Sequence, residues 1–164
     1  MTRGWEAAIC GLALTVAGCA TTGTQTAATP APAIAPPTVD APEIGRIPEG
    51  ALPAGECGML LWTVEAEQPA LIFRSVVGEG ALMTIDGAPI ELALTSAAGD
   101  ARFGVSANEA FLGAAGVVVE VGVTFGLAFD GGSYVEKGRL IVRGADGWER
   151  VAPVAGLAGC RAGG

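Results

Sequence analysis

The chain has 164 residues, 51% hydrophobic but only 5% aromatic, with 26 glycines, 10 prolines and a formal charge of −8. This composition favours one domain of short strands and turns over long helices, and the acidic balance excludes a general attraction for nucleic acid or anionic lipid. The lack of histidine removes imidazole as a metal ligand, as a proton shuttle at neutral pH and as the base of a Ser-His-Asp or Cys-His site.

The N-terminus reads Met-Thr-Arg-Gly-Trp-Glu, one cation ahead of an apolar run from Ala7 to Ala17. That run is too short for a permanent membrane helix, which needs about 20 residues, and it suits the h-region of a signal peptide. It ends in Val16-Ala17-Gly18-Cys19, which resembles the lipobox of bacterial lipoproteins. The resemblance implies that residues 1–18 are removed, that Cys19 carries a diacylglyceryl thioether and that its amine carries a further acyl chain such as palmitate. An ordinary signal cut at or just after the same place is the alternative. Ala20, rather than Asp, follows the cysteine, which by the same resemblance implies an outer-membrane anchor; the domain is expected to face the periplasm. Buried acyl chains contribute about 0.8 kcal/mol per methylene, so such an anchor is effectively permanent.

Residues 19–54 follow as a lipidated cysteine and an Ala/Thr/Pro-rich linker whose composition buries no core and favours extended conformers. With Cys10 in the h-region and Cys19 carrying lipid, Cys57 and Cys160 remain as a pair. In an oxidising compartment an even remainder reads as a disulfide, with two free buried thiols as the alternative.

From Gly55 to the C-terminus short apolar runs alternate with turn residues. Strands are expected near 57–64, 70–77, 81–85, 88–95, 101–105, 117–129, 134–143 and 148–152. One short helix is expected at Ser106-Ala-Asn-Glu109 with Ala110-Phe111-Leu112, a capping-box pattern stopped by Gly113 and Gly116. The fold expected is therefore all-β, a small antiparallel barrel or sandwich of about eight short strands with one short helix, closed by a disulfide.

Asp86-Gly87 is a two-residue hairpin signal that pairs Ile85 with Ala88, Met83 with Ile90 and Ala81 with Leu92. In 117–129 the odd positions, Val117 to Phe129, are apolar, the pattern of a strand buried on one face. A Gly131-Gly132 turn pairs Phe129 with Tyr134, Val123 with Leu140, Val121 with Val142 and Glu120 with Arg143. A turn at Asp146-Gly147 then pairs Val142 with Val151.

On that register Lys137, Arg139, Arg143 and Arg150, with Trp148 alongside, form a basic stripe on one outer face. It can take an anionic or sugar-like partner, or simply be a solvated face that discourages edge pairing. Ser133 and Lys137 stand about 13 Å apart along a strand and make no serine–lysine nucleophile. Gly78-Glu79-Gly80 and Gly131-Gly132 lack the strand-to-helix setting of a phosphate loop and read as turns. Neither a cofactor nor a metal site is expected.

The segments Cys57-Gly-Met-Leu-Leu-Trp62, Ala145-Asp-Gly-Trp-Glu and Pro153-Val-Ala-Gly-Leu-Ala-Gly-Cys160 resemble proteobacterial lipoproteins to which no activity attaches. Ala81-Leu-Met-Thr-Ile-Asp-Gly and Thr95-Ser-Ala-Ala-Gly-Asp-Ala-Arg-Phe103 are faintly similar to membrane-bound C-type lysozyme inhibitors. That likeness implies a small disulfide-tied β-barrel on a lipid anchor, although the family's Trp-x-Lys-Gly segment is missing and Glu136-Lys137-Gly138 replaces it poorly. The function expected is a non-enzymatic interaction or structural module of the envelope, held to the membrane by Cys19 and meeting an envelope protein or cell-wall component. Inhibition of a secreted cell-wall hydrolase is the alternative.

Overall fold

The computed structural model describes residues 41–163 except Glu49 and Ala66, so the expected signal peptide, Cys19 and much of the expected linker lie outside the described residues. Nine strands follow in order: β1 (Ile44–Gly45), β2 (Cys57–Thr63), β3 (Leu71–Val76), β4 (Gly80–Ile85), β5 (Ala88–Arg102), β6 (Val105–Gly113), β7 (Val118–Phe129), β8 (Gly132–Arg143) and β9 (Glu149–Cys160). From β2 to β9 each strand pairs antiparallel with the next, and β9 pairs back onto β2. The result is an up-and-down barrel rather than a sandwich, and full closure leaves the sheet without a free edge along most of its length.

An eight-stranded barrel is just wide enough for side chains to fill. Met59, Leu61, Phe73, Met83, Leu92, Phe111, Val119, Val121, Leu140, Val142 and Val154 do so, each almost wholly buried. Phe73 and Phe111 meet edge to face with ring centres 5.4 Å apart, a favoured aromatic geometry. Alternation along the strands therefore maps apolar residues to the interior and polar ones outward, as the period of two requires.

The Asp86-Gly87 hairpin has the register expected, with Ile85 opposite Ala88, Met83 opposite Ile90 and Ala81 opposite Leu92. Both turn residues have positive φ, 49° and 77°, which matches the twist of the flanking strands.

The expected helix at 106–112 is instead β6, and no helix longer than the single 3-10 turn Ala114–Gly116 occurs among the described residues. The capping-box contact nevertheless forms, because the Ser106 amide donates to Glu109 Oε1 at 2.9 Å. The local hydrogen bond is the one a capping box makes, but pairing with β5 and β7 holds the segment as a strand. The strand expected at 101–105 is divided by a turn at Phe103-Gly104, both at positive φ, and β5 runs unbroken from Ala88 to Arg102.

Two registers also differ. The β7–β8 turn is Asp130-Gly131, so Phe129 faces Gly132, Val123 faces Gly138, Val121 faces Leu140 and Val119 faces Val142. This slip of two residues keeps Leu140 and Val142 on the core face as expected, but an irregularity between Val135 and Gly138 turns Ser133 and Val135 inward and leaves Tyr134 exposed. Burial holds only to Phe125, however, because the strand is irregular beyond it and leaves Leu127 and Phe129 exposed. The β8–β9 connection is a three-residue loop, with the Gly147 amide bonded to the Gly144 carbonyl and Gly144 bonded to Trp148. Gly147 at φ 92° supplies the left-handed residue such a loop needs. Val142 therefore faces Arg150, not Val151, a slip of one residue that reverses the faces of β9.

The stretch 41–54, assigned from composition to the linker, is partly a strap on the barrel. Ile47 and Leu52 are buried, β1 pairs with β4, and Glu43 exchanges hydrogen bonds with Asp86. Arg150 and Arg161 donate to the carbonyls of Pro42 and Leu52, both at 2.8 Å.

Candidate functional site

Cys57 and Cys160 are opposed partners on β2 and β9 and form a disulfide, with Cα atoms 3.9 Å apart. The Arg161 amide donates to the Glu56 carbonyl beside them, so they occupy a position without direct ladder bonds, where side chains approach most closely. The bridge fastens the seam at which the first and last barrel strands meet.

The basic stripe comes apart in part. Lys137, Arg139 and Arg143 sit opposite Thr124, Gly122 and Val118 and face outward, whereas Leu140 and Val142 between them face the core. Arg150 shares the face of Val142 as a consequence of the three-residue loop, and it holds the strap. Trp148 packs against the core instead of standing beside the cations.

Arg143 is bound to both Glu120 and Glu149 at 2.6 Å. These carboxylates raise its pKa further, with the Glu120 hydrogen bond contributing most. Glu120 was expected directly opposite Arg143 and reaches it diagonally, since its register partner is Ile141. Lys137 and Arg139 make no hydrogen bond or ion pair among the described residues, so they are the available cations of this face.

Ser133 and Lys137 point to opposite faces. Ser133 is fully buried and accepts a hydrogen bond from Arg102 Nη1 at 2.8 Å. The same nitrogen donates to the Gly126 carbonyl at 2.8 Å, and the guanidinium lies 5.6 Å from the centre of the Phe125 ring. Arg102 thus ties the end of β5 across to β7 and β8, its charge met by carbonyl, hydroxyl and aromatic face. Nothing in the local sequence around Arg102 announces this role, because the partners lie on strands far along the chain.

A second inward polar group is Glu109 on β6, opposite Val121 and only 8% exposed. Burial pushes its carboxyl pKa up, and the Ser106 hydrogen bond offsets part of that shift. Its place within Ser106-x-x-Glu109 was visible, but the helical reading hid that it faces the barrel interior.

Comparison of the chain with protein-family models, with curated proteins and with solved structures finds no match.

Proposed function

We propose that the protein is a lipid-anchored, non-enzymatic envelope module that acts through the outer surface of a rigid barrel. The observation that carries this reading is the filled, disulfide-closed barrel: its central interior is taken by apolar side chains, which leaves the outer surface for recognition. A disulfide at the closing seam suits an oxidising compartment and so accords with the lipobox-like Val16-Ala17-Gly18-Cys19. Lys137 and Arg139 provide charge for a partner on one face. Capture from envelope extract with the full chain, repeated with Lys137→Gln/Arg139→Gln, tests this. A partner retained by the first and lost by the second supports the reading, and identical capture by both counts against the cationic face.

One observation favours a second reading, inhibition of a secreted cell-wall hydrolase. Thr95 to Ala101, within the segment faintly similar to lysozyme inhibitors, is exposed throughout on the long β5. Loss of lysozyme turnover on adding the purified protein supports this reading, and undiminished turnover at excess protein removes it.

A further inference from the structure

The barrel wall has a gap. β4 begins at Gly80, next to Ala81 where its pairing with β5 ends opposite Leu92, while β5 runs on to Arg102 with only β6 beside it. Gly80 has φ 115°, and a side chain there would strike the Leu92 carbonyl, so glycine is what lets the strands meet at this corner. Beyond it lies a cavity of about 330 Å³ between the β3–β4 turn and the β5–β6 hairpin. The hairpin tip closes down on that turn, since a Cβ at Gly104 would lie 3.1 Å from the Val77 methyls.

The cavity has apolar walls from Val76, Leu94, Val105 and Phe111. Its two inward polar side chains, Ser75 and Glu109, are 5% and 8% exposed. Glu109 Oε1 is satisfied by Ser106, whereas Glu109 Oε2 and the Ser75 hydroxyl have no hydrogen-bond partner among the described residues. Neither is sealed from solvent, because no fully buried side-chain oxygen is left unpartnered. They are acceptors that a ligand entering the cavity can reach. The lining carries two carboxylates, Glu109 and Glu79, and no cation. A small, mostly apolar cavity with a few convergent polar groups is the usual form of a ligand site.

We propose that this cavity binds a small organic cation, an ammonium on an apolar body, with the ammonium on Glu109 and Ser75 and the apolar body against Leu94, Val105 and Phe111. A charged donor is favoured over a neutral one because it both satisfies the open oxygen and neutralises the buried carboxylate. Glu79 at the same cavity and the net charge of −8 add long-range attraction for a cation.

The test is titration of the isotope-labelled full chain with 2-phenylethylammonium into the millimolar range, followed by amide NMR, beside the uncharged isostere 2-phenylethanol. The expected result is saturable shifts centred on Ser75, Glu109 and Phe111 with the ammonium, and binding weaker by about tenfold or more for the alcohol and for Glu109→Gln, as loss of a charge-assisted hydrogen bond requires. Leu94→Trp, which fills the cavity from a half-exposed position, should abolish those shifts while leaving the rest of the spectrum in place. No saturable shift around Ser75 and Glu109 overturns the proposal. So do shifts of equal size in Glu109→Gln or Leu94→Trp, which would show only general attraction to an acidic surface.

Discussion

Cys57 and Cys160 stand directly opposite each other across the one strand pair that joins the two ends of the barrel, and their bond closes a loop spanning 103 positions. Loops of that length give a chain-entropy stabilisation of up to about 4.7 kcal/mol. Cys57→Ala/Cys160→Ala should therefore lower the melting temperature markedly, with the midpoint of urea unfolding moving in parallel. A double variant that melts with the wild type would show that the β2–β9 ladder holds the seam unaided.

Glu109 supplies a pH signature. Its folded-state pKa is raised above the ordinary 4.5 chiefly by burial, so the native state binds the proton more tightly than the unfolded chain. Its protonated form thus contributes stability that is complete below about 4.5 and is lost as pH rises through the raised folded value. Glu109→Gln should stabilise the protein at neutral pH, with the advantage shrinking as the solution is acidified toward pH 4.5. Melting curves of the wild type and Glu109→Gln across pH decide it, and a constant offset for the variant at all pH values would show that Glu109 burial sets no such dependence.

Gly80→Ala should destabilise by about 1–3 kcal/mol from backbone strain, and by more once the clash with Leu92 is included. Gly122, on the open outer face with only Asn108 Oδ1 at 3.5 Å from a Cβ, should accept alanine with little change. Equal melting temperatures for the two variants would show that the β4–β5 corner does not need glycine.

Arg150 and Arg139 should separate in the same way. Arg150→Gln loses the bond to Pro42 and should speed hydrogen exchange at Ile44 and Gly45 on the strap. Arg139→Gln touches no partner and should leave both exchange and melting temperature as they were. If the two variants exchange alike, the strap does not depend on Arg150.

How much of this was legible in the sequence follows from the range of each interaction. Asp86-Gly87 set its own register because the turn chemistry is local and two residues long. The apolar alternation from Val117 to Phe125 identified the buried face of β7 because that signal repeats along the strand. Asp146-Gly147 misled by one residue, since the dipeptide marks a turn without saying whether Ala145 belongs to it. Ser106-x-x-Glu109 misled because the same hydrogen bond forms in helix and strand. Barrel closure, the Arg102–Ser133 tie and the polar cavity at Glu109 depend on partners distant in sequence, and no local pattern encodes them.

Intact-mass and N-terminal peptide analysis of protein purified from cell envelopes tests the proposal that this barrel is held at a membrane through Cys19. The expected result is a mature chain that begins at Cys19 and carries acyl groups on its thiol and amine, with both lost in Cys19→Ala. A mature N-terminus elsewhere, or an unmodified Cys19, would contradict it.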